Sequence, residues 1–318
     1  MSIDTLLHEP QLPSYIDSTM MSCFRSCRRK FYNEFILGLR PQAVSIDLHA
    51  GGAFSTALEN FYREFFTGSG SFEKAKMAAF VAFNKYWGDM DAPHNSPKTK
   101  DNMWLAVEVY LREYPPASDH VQPYFVEGYP TFEFSFAIPL EGEGWPTHPV
   151  TGDPFLYAGR YDMLGTYHGA PCFRDEKTTK AAGPTWAEQW DLRSQFIGYK
   201  WASIVSGIPI KWAVIRGIVI QKTSIRTLEA IKDYPEHLLA RWREQLKHDL
   251  NALVNCWQTQ YWDYNLADAC TSYGGCMFKN SCLSATPEAW LEGMTIRRWN
   301  PLAKDPIESA EALKEEAA

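Results

Sequence analysis

Phe155-Leu-Tyr-Ala-Gly-Arg-Tyr-Asp162 and Pro171-Cys-Phe-Arg-Asp-Glu-Lys177 are the two segments that decide the fold class of this chain. We interpret them as parts of two strands, over 155–167 and 171–178, that are joined by a turn at Gly169. A short turn between two strands makes them antiparallel neighbours in one sheet. The sequence therefore predicts a strand pair that carries acidic residues on both of its members.

Another strand precedes this pair, and a helix and a further strand follow it. Residues 132–140 place apolar side chains at every second position, as a strand with one buried face does. After the pair, the sequence predicts a helix over 186–205 and a long, apolar, β-branched strand over 210–220. The order strand, strand, strand, helix, strand favours an α/β fold with a central mixed sheet and helices packed on it.

Further helices are predicted before and after this core. Apolar residues recur at helical spacing over 18–37 and 72–87, and further helices are predicted over 53–66, 102–114 and 235–257. Ser18 or Thr19 is predicted to cap the first of these helices. We expect a single domain over 1–300 and a flexible, acidic tail over 301–318. The domain comprises an N-terminal helical region, the core, and a C-terminal helix with a cysteine loop, over 18–115, 130–222 and 234–290.

The composition is that of an ordinary globular protein. The 318 residues are 45% hydrophobic, 14% aromatic and 22% charged. No apolar run approaches the roughly 20 residues that span a bilayer, and the N-terminus lacks the pattern of a signal peptide. We therefore expect a cytoplasmic protein without a membrane segment. The formal net charge of -7 argues against a surface that coats nucleic acid everywhere, but it leaves room for a local basic groove.

Asp162 and Asp175 lie on the two paired strands, where their carboxylates can hold one hard cation. Oxygen ligands of this kind suit magnesium or manganese. Lys177 is two residues beyond Asp175 and therefore shares its face of the strand, whereas the Glu176 side chain points the other way. A lysine beside such a metal orients the attacking water or stabilises the pentavalent phosphorus. This combination predicts hydrolysis of phosphodiester bonds.

Three motifs follow one another in an order that is typical of one nuclease family. They are Gly159-Arg-Tyr-Asp162, Asp175-Glu-Lys177 and Gln195-Phe-Ile-Gly-Tyr199. With them, the chain from about 18 to 282 resembles the RecB-like branch of the PD-(D/E)XK nuclease superfamily. The resemblance implies a restriction-endonuclease-like core that cleaves DNA. It also implies that Gln195 and Tyr199 line the groove beside the metal and contact DNA or the catalytic lysine.

The metal site that this resemblance implies is changed at one position. The family carries a histidine on an early helix, and the matching residue in Gly51-Gly-Ala-Phe-Ser55-Thr-Ala-Leu-Glu59 is Ser55. A serine hydroxyl is a poor ligand for a divalent cation, so we expect an altered metal affinity or preference, or a water in place of the imidazole. Glu59 matches the glutamate that follows in the family. The implied metal residues are Asp162, Asp175, Glu176 through its backbone carbonyl, and Glu59.

Seven cysteines in a chain without an export signal favour metal binding over disulfides. Cys270, Cys276 and Cys282 are each separated by five residues, which is not the spacing of a zinc ribbon. A 4Fe-4S cluster needs a fourth thiolate from elsewhere in the chain. Cys27 and Cys23 are both candidates, because they lie one turn apart on one face of the first predicted helix.

The arrangement of one cysteine and then three resembles that of iron-sulfur exonucleases associated with CRISPR systems and with RecB-like helicase-nucleases, and of similar proteins in phages. The resemblance favours Cys27, in Cys27-Arg-Arg-Lys-Phe-Tyr32, as the fourth ligand. It implies a structural 4Fe-4S cluster that the C-terminal cysteine loop closes, and recombination or CRISPR-type proteins as partners. Cys172, in a predicted core strand, is interpreted as a small apolar residue.

The sequence as a whole predicts a metal-dependent deoxyribonuclease, in particular an exonuclease that acts on single-stranded DNA or on DNA ends. The alternative is an iron-sulfur DNA-binding protein of a recombination or adaptation complex, which does not cleave because Ser55 weakens its metal site. A third hypothesis is a structural protein stabilised by zinc, which would lack the absorption at about 400 nm that a cluster gives.

Overall fold

The computed structural model describes residues 10–42, 44–68, 70–272, 275–291 and 293–303, with the backbone of 307–309. The chain divides into two compact units. The terminal unit consists of Met1–Ala43, Ser135–Arg160 and Ala240–Ala318, and the central unit of Val44–Phe134 and Tyr161–Leu239. Most of the predicted acidic tail lies outside the described residues, as do Tyr273 and Gly274 of the cysteine loop. Among the described residues, no helix combines the length and apolarity needed to cross a membrane.

The described helices are α1 (Ser18–Ser26), α2 (Arg28–Phe31), α3 (Ile46–Thr67), α4 (Phe72–Trp87), α5 (Lys100–Glu113), α6 (Ser194–Val205), α7 (Glu236–Thr259) and α8 (Lys279–Leu283). A π-helical segment, Tyr32–Ile36, follows α2. The strands are β1 (Tyr15–Ile16), β2 (Leu39–Pro41), β3 (Val121–Pro123), β4 (Phe125–Val126), β5 (Tyr129–Pro130), β6 (Phe132–Leu140), β7 (Phe155–Tyr167), β8 (Ala170–Thr179), β9 (Trp212–Ile220), β10 (Ile225–Lys232), β11 (Met294–Trp299) and β12 (Ile307–Ser309).

The central unit contains a mixed sheet. β7 pairs antiparallel with β8, with Met163 opposite Arg174, and it also pairs antiparallel with β3. β8 pairs parallel with β9, and β10 then adds antiparallel to β9. The parallel pair is connected through α6, because two parallel neighbours need a crossover rather than a tight turn. The predicted α/β fold with a central mixed sheet is confirmed.

Helices pack on this sheet and bury its apolar side chains. The hydrophobic core that α3, α4 and α5 enclose includes Ile218 and Ile220 of β9. α6 packs against β8, where the ring centroids of Phe196 and Phe173 are 5.7 Å apart. Successive side chains of β8 point to opposite faces of the sheet, so this strand presents one row of residues to α3 and the other to α6.

Gly165 of β7 allows a close approach of β3. A Cβ atom at this position would lie 2.1 Å from the carbonyl oxygen of Gln122. Gly165→Ala must therefore move the two strands apart, and we expect it to lower the free energy of unfolding by about 1–3 kcal/mol. Gly183→Ala is the control, because a Cβ there meets no atom within 4 Å. Urea unfolding measures the difference, and equal stability of the two variants would contradict the packing described.

The terminal unit contains a smaller sheet and the first helices. β1 pairs parallel with the beginning of β7, and β11 lies between β2 and β12 with antiparallel pairing on both sides. The first helix begins as predicted at Ser18, but its cap is Asp17 rather than Ser18 or Thr19. The Asp17 carboxylate accepts the Met20 N–H at 2.7 Å and the Trp299 Nε1–H at 2.8 Å. It therefore both caps α1 and holds β11.

The buried Asp17 carboxyl group should make the free energy of unfolding depend on pH. Burial raises the pKa of Asp17 to about 6, against the lowering effect of its hydrogen bonds. The folded state therefore binds this proton more tightly than the unfolded state does, and its stability falls as the pH rises through about 6. Relative to Asp17→Asn, the wild type is expected to lose about 1 kcal/mol of unfolding free energy between about pH 5 and pH 7. Urea unfolding at both pH values tests this, and a difference that grows in the opposite direction would contradict it.

The helix predicted over 18–37 is interrupted at Cys27. α1 ends at Ser26, and Cys27 has an extended backbone with φ -164° and ψ 115°. Its Sγ accepts the Lys30 N–H at 3.4 Å, so this cysteine caps α2 and starts a new helix. The expectation that Cys23 and Cys27 share one face of a continuous helix is therefore wrong.

Several predicted elements have the expected bounds, namely 72–87, 132–140 and 155–167. The helix predicted over 186–205 begins only at Ser194, and only Glu188–Trp190 forms a 3-10 turn before it. Trp186 lies so close to β9 that a Cβ on Gly217 would approach its indole to 2.4 Å. Packing of this ring on the sheet holds the segment out of the helix. β10 was not predicted, since its apolar residues do not alternate with polar ones.

Candidate active site

Asp162 and Asp175 lie in the central unit at the point where β7 and β8 separate. The ladder of these strands ends at Met163 and Arg174, and the two aspartates are the next residues along it. The Asp162 Oδ2 accepts the backbone N–H of Glu176 at 2.9 Å. Asp175 is 1% exposed. The two aspartates are thus neighbours on adjacent strands, as the pairing of these strands predicts.

Both carboxyl groups resist ionisation. Burial raises the pKa of Asp162 well above its usual range, and the negative charge of Asp175 raises it further. Burial also raises the pKa of Asp175, although Lys177 lowers it. Apart from its ion pair with Lys177, the Asp175 carboxylate makes no hydrogen bond to a described residue. A divalent cation would stabilise both anions, so this donor set fits a hard metal ion.

The protein alone does not complete such a site. Within the described ranges, no three His, Cys, Asp or Glu side chains are arranged closely enough to hold a metal ion. Magnesium usually keeps several waters and binds through one or two carboxylates. A pair of carboxylates therefore suits a divalent cation that keeps several of its waters.

Lys177 lies beside Asp175 as the strand periodicity predicts. Its Nζ is 2.6 Å from the Asp175 Oδ1, and it lies 5.6 Å from the centroid of the Phe196 ring on α6. Burial lowers the pKa of Lys177, but the charges of Asp175 and Asp162 outweigh this effect and keep the ammonium protonated. Since 32% of its side chain is exposed, this cation is accessible to a phosphate from solvent.

The side chain of Glu176 points away from Lys177, towards the opposite helical layer. Its Oε1 accepts the Tyr110 hydroxyl at 2.6 Å and pairs with the Arg174 guanidinium. Tyr110 in turn accepts a hydrogen bond from the fully buried Arg216, which also pairs with Asp119. The Glu176 carboxylate is thereby held in a buried network. The contact of Glu176 with Asp162 is made by its backbone N–H, and the use of its backbone carbonyl as a metal ligand stays a prediction.

Ser55 and Glu59 lie on α3 next to Asp162. All three residues line one small cavity of about 10 Å³. The Glu59 Oε1 accepts a hydrogen bond from Arg63 Nη2 at 2.7 Å. The structure therefore brings the predicted α3 residues to Asp162, although an arginine already contacts the Glu59 carboxylate.

Gln195 and Tyr199 are one turn apart on α6. The Gln195 Nε2 donates to the Tyr199 hydroxyl at 3.2 Å, and the Tyr199 ring packs 4.9 Å from that of Tyr161 on β7. Tyr199 is 7% exposed, so its ring belongs to the core between α6 and the sheet. Because Lys177 contacts the same helix at Phe196, Gln195 lies on the lysine side of β8.

The predicted cluster cysteines lie together in the terminal unit. Burial raises the pKa of the Cys282 thiol, and so do three neighbouring thiols, those of Cys276, Cys27 and Cys270. The Cys276 N–H donates to the Cys270 carbonyl at 3.1 Å, which brings these two cysteines together. The structure thus gathers one thiol from the N-terminal part of the chain and three from the C-terminal part.

Cys23 has a different neighbour. Its Sγ donates to the Glu34 Oε2 at 3.7 Å, and burial together with the Glu34 charge raises the pKa of this thiol. Of the two candidates for the fourth ligand, Cys27 is the one whose charge raises the pKa of the Cys282 thiol. Cys172 lies in the core of the central sheet with Met163 and Val214, as predicted.

The family model of the PD-(D/E)XK nuclease superfamily matches residues 18–283. The chain belongs to the PD-(D/E)XK nuclease superfamily. The predicted resemblance is thereby confirmed at the level of the superfamily. No curated protein matches the sequence significantly.

Two solved structures align with most of this PD-(D/E)XK chain, but at low sequence identity and with low TM-scores. One is named SSO0001, with 12% identity over 81% of this chain and 88% of its own, and a TM-score of 0.33. The other is described only as a candidate exonuclease from Eubacterium rectale, with 11% identity, coverage of 82% and 88%, and a TM-score of 0.47. At these TM-scores, neither likeness supports an argument about this protein.

Sequence reasoning missed two residues that lie at the site of this PD-(D/E)XK protein. Glu133 and Arg174 line the small cavity beside Asp162, and Glu133 is one of the charges that raise the pKa of Asp162. Glu133 has a left-handed backbone with φ 51°, which no motif announces. Arg174 precedes the Asp175-Glu-Lys177 motif directly, and its place on the face opposite to Asp175 could have been inferred from strand periodicity.

Proposed function

We propose that this protein is a metal-dependent deoxyribonuclease. The observation that carries the proposal is a pair of carboxylates, the half-buried Asp162 and the buried Asp175, with the Lys177 ammonium 2.6 Å from the second of them. Membership of a nuclease superfamily supports it. Buried acids with raised pKa values beside a fixed cation are costly for stability alone, and such groups concentrate at functional sites.

The chain's own residues have separate tasks in this hydrolysis. Asp162, Asp175 and the Glu176 carbonyl would hold magnesium or manganese, and Glu59 lies close enough to assist. When bound, the metal polarises a phosphoryl oxygen and lowers the pKa of a water. Lys177 stabilises the negative charge that grows on the phosphate oxygens. Water adds to phosphorus, the bond to the leaving oxygen breaks, and that oxygen leaves with a proton.

We assign Gln195 and Tyr199 to the substrate side of this site. Gln195 is only partly buried, and its amide is held by Tyr199 rather than by the metal residues. An amide held in this way presents a donor to a phosphate or a base of the bound strand. Its neighbour Phe196 contacts Lys177, so α6 also fixes the lysine in position.

We further propose a RecB-like exonuclease with a structural 4Fe-4S cluster held by Cys27, Cys270, Cys276 and Cys282. The charges of the other three thiols raise the pKa of the Cys282 thiol, which supports a group shared by these four cysteines. Four thiolates are the ligand set that a 4Fe-4S cluster needs. A cluster would tie α1 and α2 to the C-terminal loop. Recombination or CRISPR-type proteins are the partners that fit such an enzyme.

Digestion of linear and circular single-stranded DNA in parallel tests the exonuclease proposal. The anaerobically purified protein is incubated with each substrate and with manganese, magnesium or a chelator. An exonuclease needs a free end, so linear DNA should disappear while circular DNA survives. Cleavage of circular DNA at the same rate would identify an endonuclease instead.

The second candidate function is DNA binding without cleavage. Ser55, a poor metal ligand, lines the cavity beside Asp162 and favours this alternative. Ser55→His discriminates between the two functions. If the wild type binds DNA without cutting it and the variant cuts, the natural protein is a binding module.

A further inference from the structure

Ser55 leaves space next to Asp162. The cavity that it lines has a volume of about 10 Å³ and is bordered by Glu59, Glu133 and Asp162. A space of this size accommodates roughly one water molecule. The imidazole of a histidine at position 55 would extend further into this space than the serine hydroxyl does.

A second residue of this cavity needs a polar partner. Tyr62 is 2% exposed and lines the same cavity, and its hydroxyl makes no hydrogen bond to any described residue. Buried hydroxyls are nearly always hydrogen-bonded, to protein or to ordered water. A water in this cavity would be a polar partner for the Tyr62 hydroxyl and would place an oxygen ligand beside Asp162.

Glu133 borders the cavity from another direction. It lies near the beginning of β6, whereas Ser55, Glu59 and Tyr62 all belong to α3. A carboxylate accepts hydrogen bonds, so Glu133 is suited to orient a water whose oxygen faces a cation on Asp162. Residues that orient the ligands of a metal in this way commonly affect its affinity by about 10–100-fold.

We propose that a water held by Glu133 and Tyr62 takes the place of a protein ligand at position 55, and that it completes the divalent-cation site on Asp162. The proposal rests on the proposed nuclease function, since it concerns the same metal. Glu133 is then a positioning residue, which acts on the cation through the water. Cation affinity, rather than the chemical step, should depend on it.

Titration calorimetry of Mn²⁺ binding to the protein, without DNA, tests this role of Glu133. Glu133→Gln should weaken Mn²⁺ binding by about tenfold, and Tyr62→Phe should weaken it by a smaller factor. Glu127→Gln is the matched control, because Glu127 has the same left-handed backbone, with φ 52°, but is exposed and does not border the cavity. Its affinity should equal that of the wild type.

Ser55→His distinguishes a role of Glu133 through the water from a direct effect of the Glu133 charge on the cation. The imidazole should occupy the place of the water, so Glu133→Gln should cost much less affinity in the Ser55→His protein than in the wild type. An equal loss in both backgrounds would overturn the water-mediated role, and so would unchanged affinity in Glu133→Gln. If the wild type itself binds no Mn²⁺, or binds as well after Asp162→Asn, the proposed metal-dependent function fails together with this inference.

Discussion

Lys177→Ala is expected to lower the rate of DNA cleavage by about 100-fold or more. The Lys177 ammonium is the cation nearest to Asp175, and it is accessible to the phosphate oxygens on which charge develops. Loss of one such electrostatic contact typically costs about 10²–10³ in rate. The rate of nucleotide release from end-labelled DNA with saturating manganese measures the effect.

The control for this substitution is Lys180→Ala. Lys180 lies three residues further along the chain, is exposed and pairs with Asp47. Its removal should leave the rate within about twofold of the wild type, since a surface ion pair contributes little. A Lys177→Ala protein that keeps more than a tenth of the wild-type rate would remove Lys177 from the catalytic machinery.

Cys282→Ser is expected to abolish cluster binding and to lower the stability of the terminal unit by several kcal/mol. The thiol of Cys282 has the other three proposed ligands as neighbours, so its loss removes one of the four thiolates that the cluster needs. Serine keeps the size of the side chain but is a poor ligand for iron. The absorbance at about 400 nm and the urea midpoint of the anaerobically purified protein report the two effects.

Cys23→Ser provides the matched control. Cys23 contacts Glu34 rather than the C-terminal cysteines, and its loss should leave the absorbance unchanged. An absorbance that depends on Cys23 and not on Cys27 would contradict the assignment of the fourth ligand. If the purified protein contains zinc and has no absorbance at about 400 nm, the four cysteines hold zinc and not a cluster.

The catalytic strands were predictable because their sequence carries several independent signals. Alternation of apolar residues set the bounds of 132–140, and the turn at Gly169 made the strands over 155–167 and 171–178 antiparallel neighbours. With the pairing known, strand periodicity placed Lys177 beside Asp175 and turned Glu176 away. These are local rules, and they hold where a strand is regular.

The rest depended on contacts that no local rule contains. Cys27 interrupts the first helix because its thiol caps a new one, and Trp186 is held out of a helix by its packing on β9. Glu133 reaches the site through a left-handed backbone at the beginning of a strand. The small cavity between Ser55 and Asp162 is likewise a property of the folded chain, since it joins residues that are far apart in sequence.

The most direct test of the metal-dependent nuclease is the release of nucleotides from end-labelled DNA by the anaerobically purified wild type. The same sample is measured with manganese, then with an excess of chelator, and then with manganese restored. We predict cleavage that stops with the chelator and resumes with the metal, because Asp162 and Asp175 need a cation to act. Cleavage that continues in the chelator, or a folded protein that binds DNA and releases no nucleotide under any condition, would contradict this account.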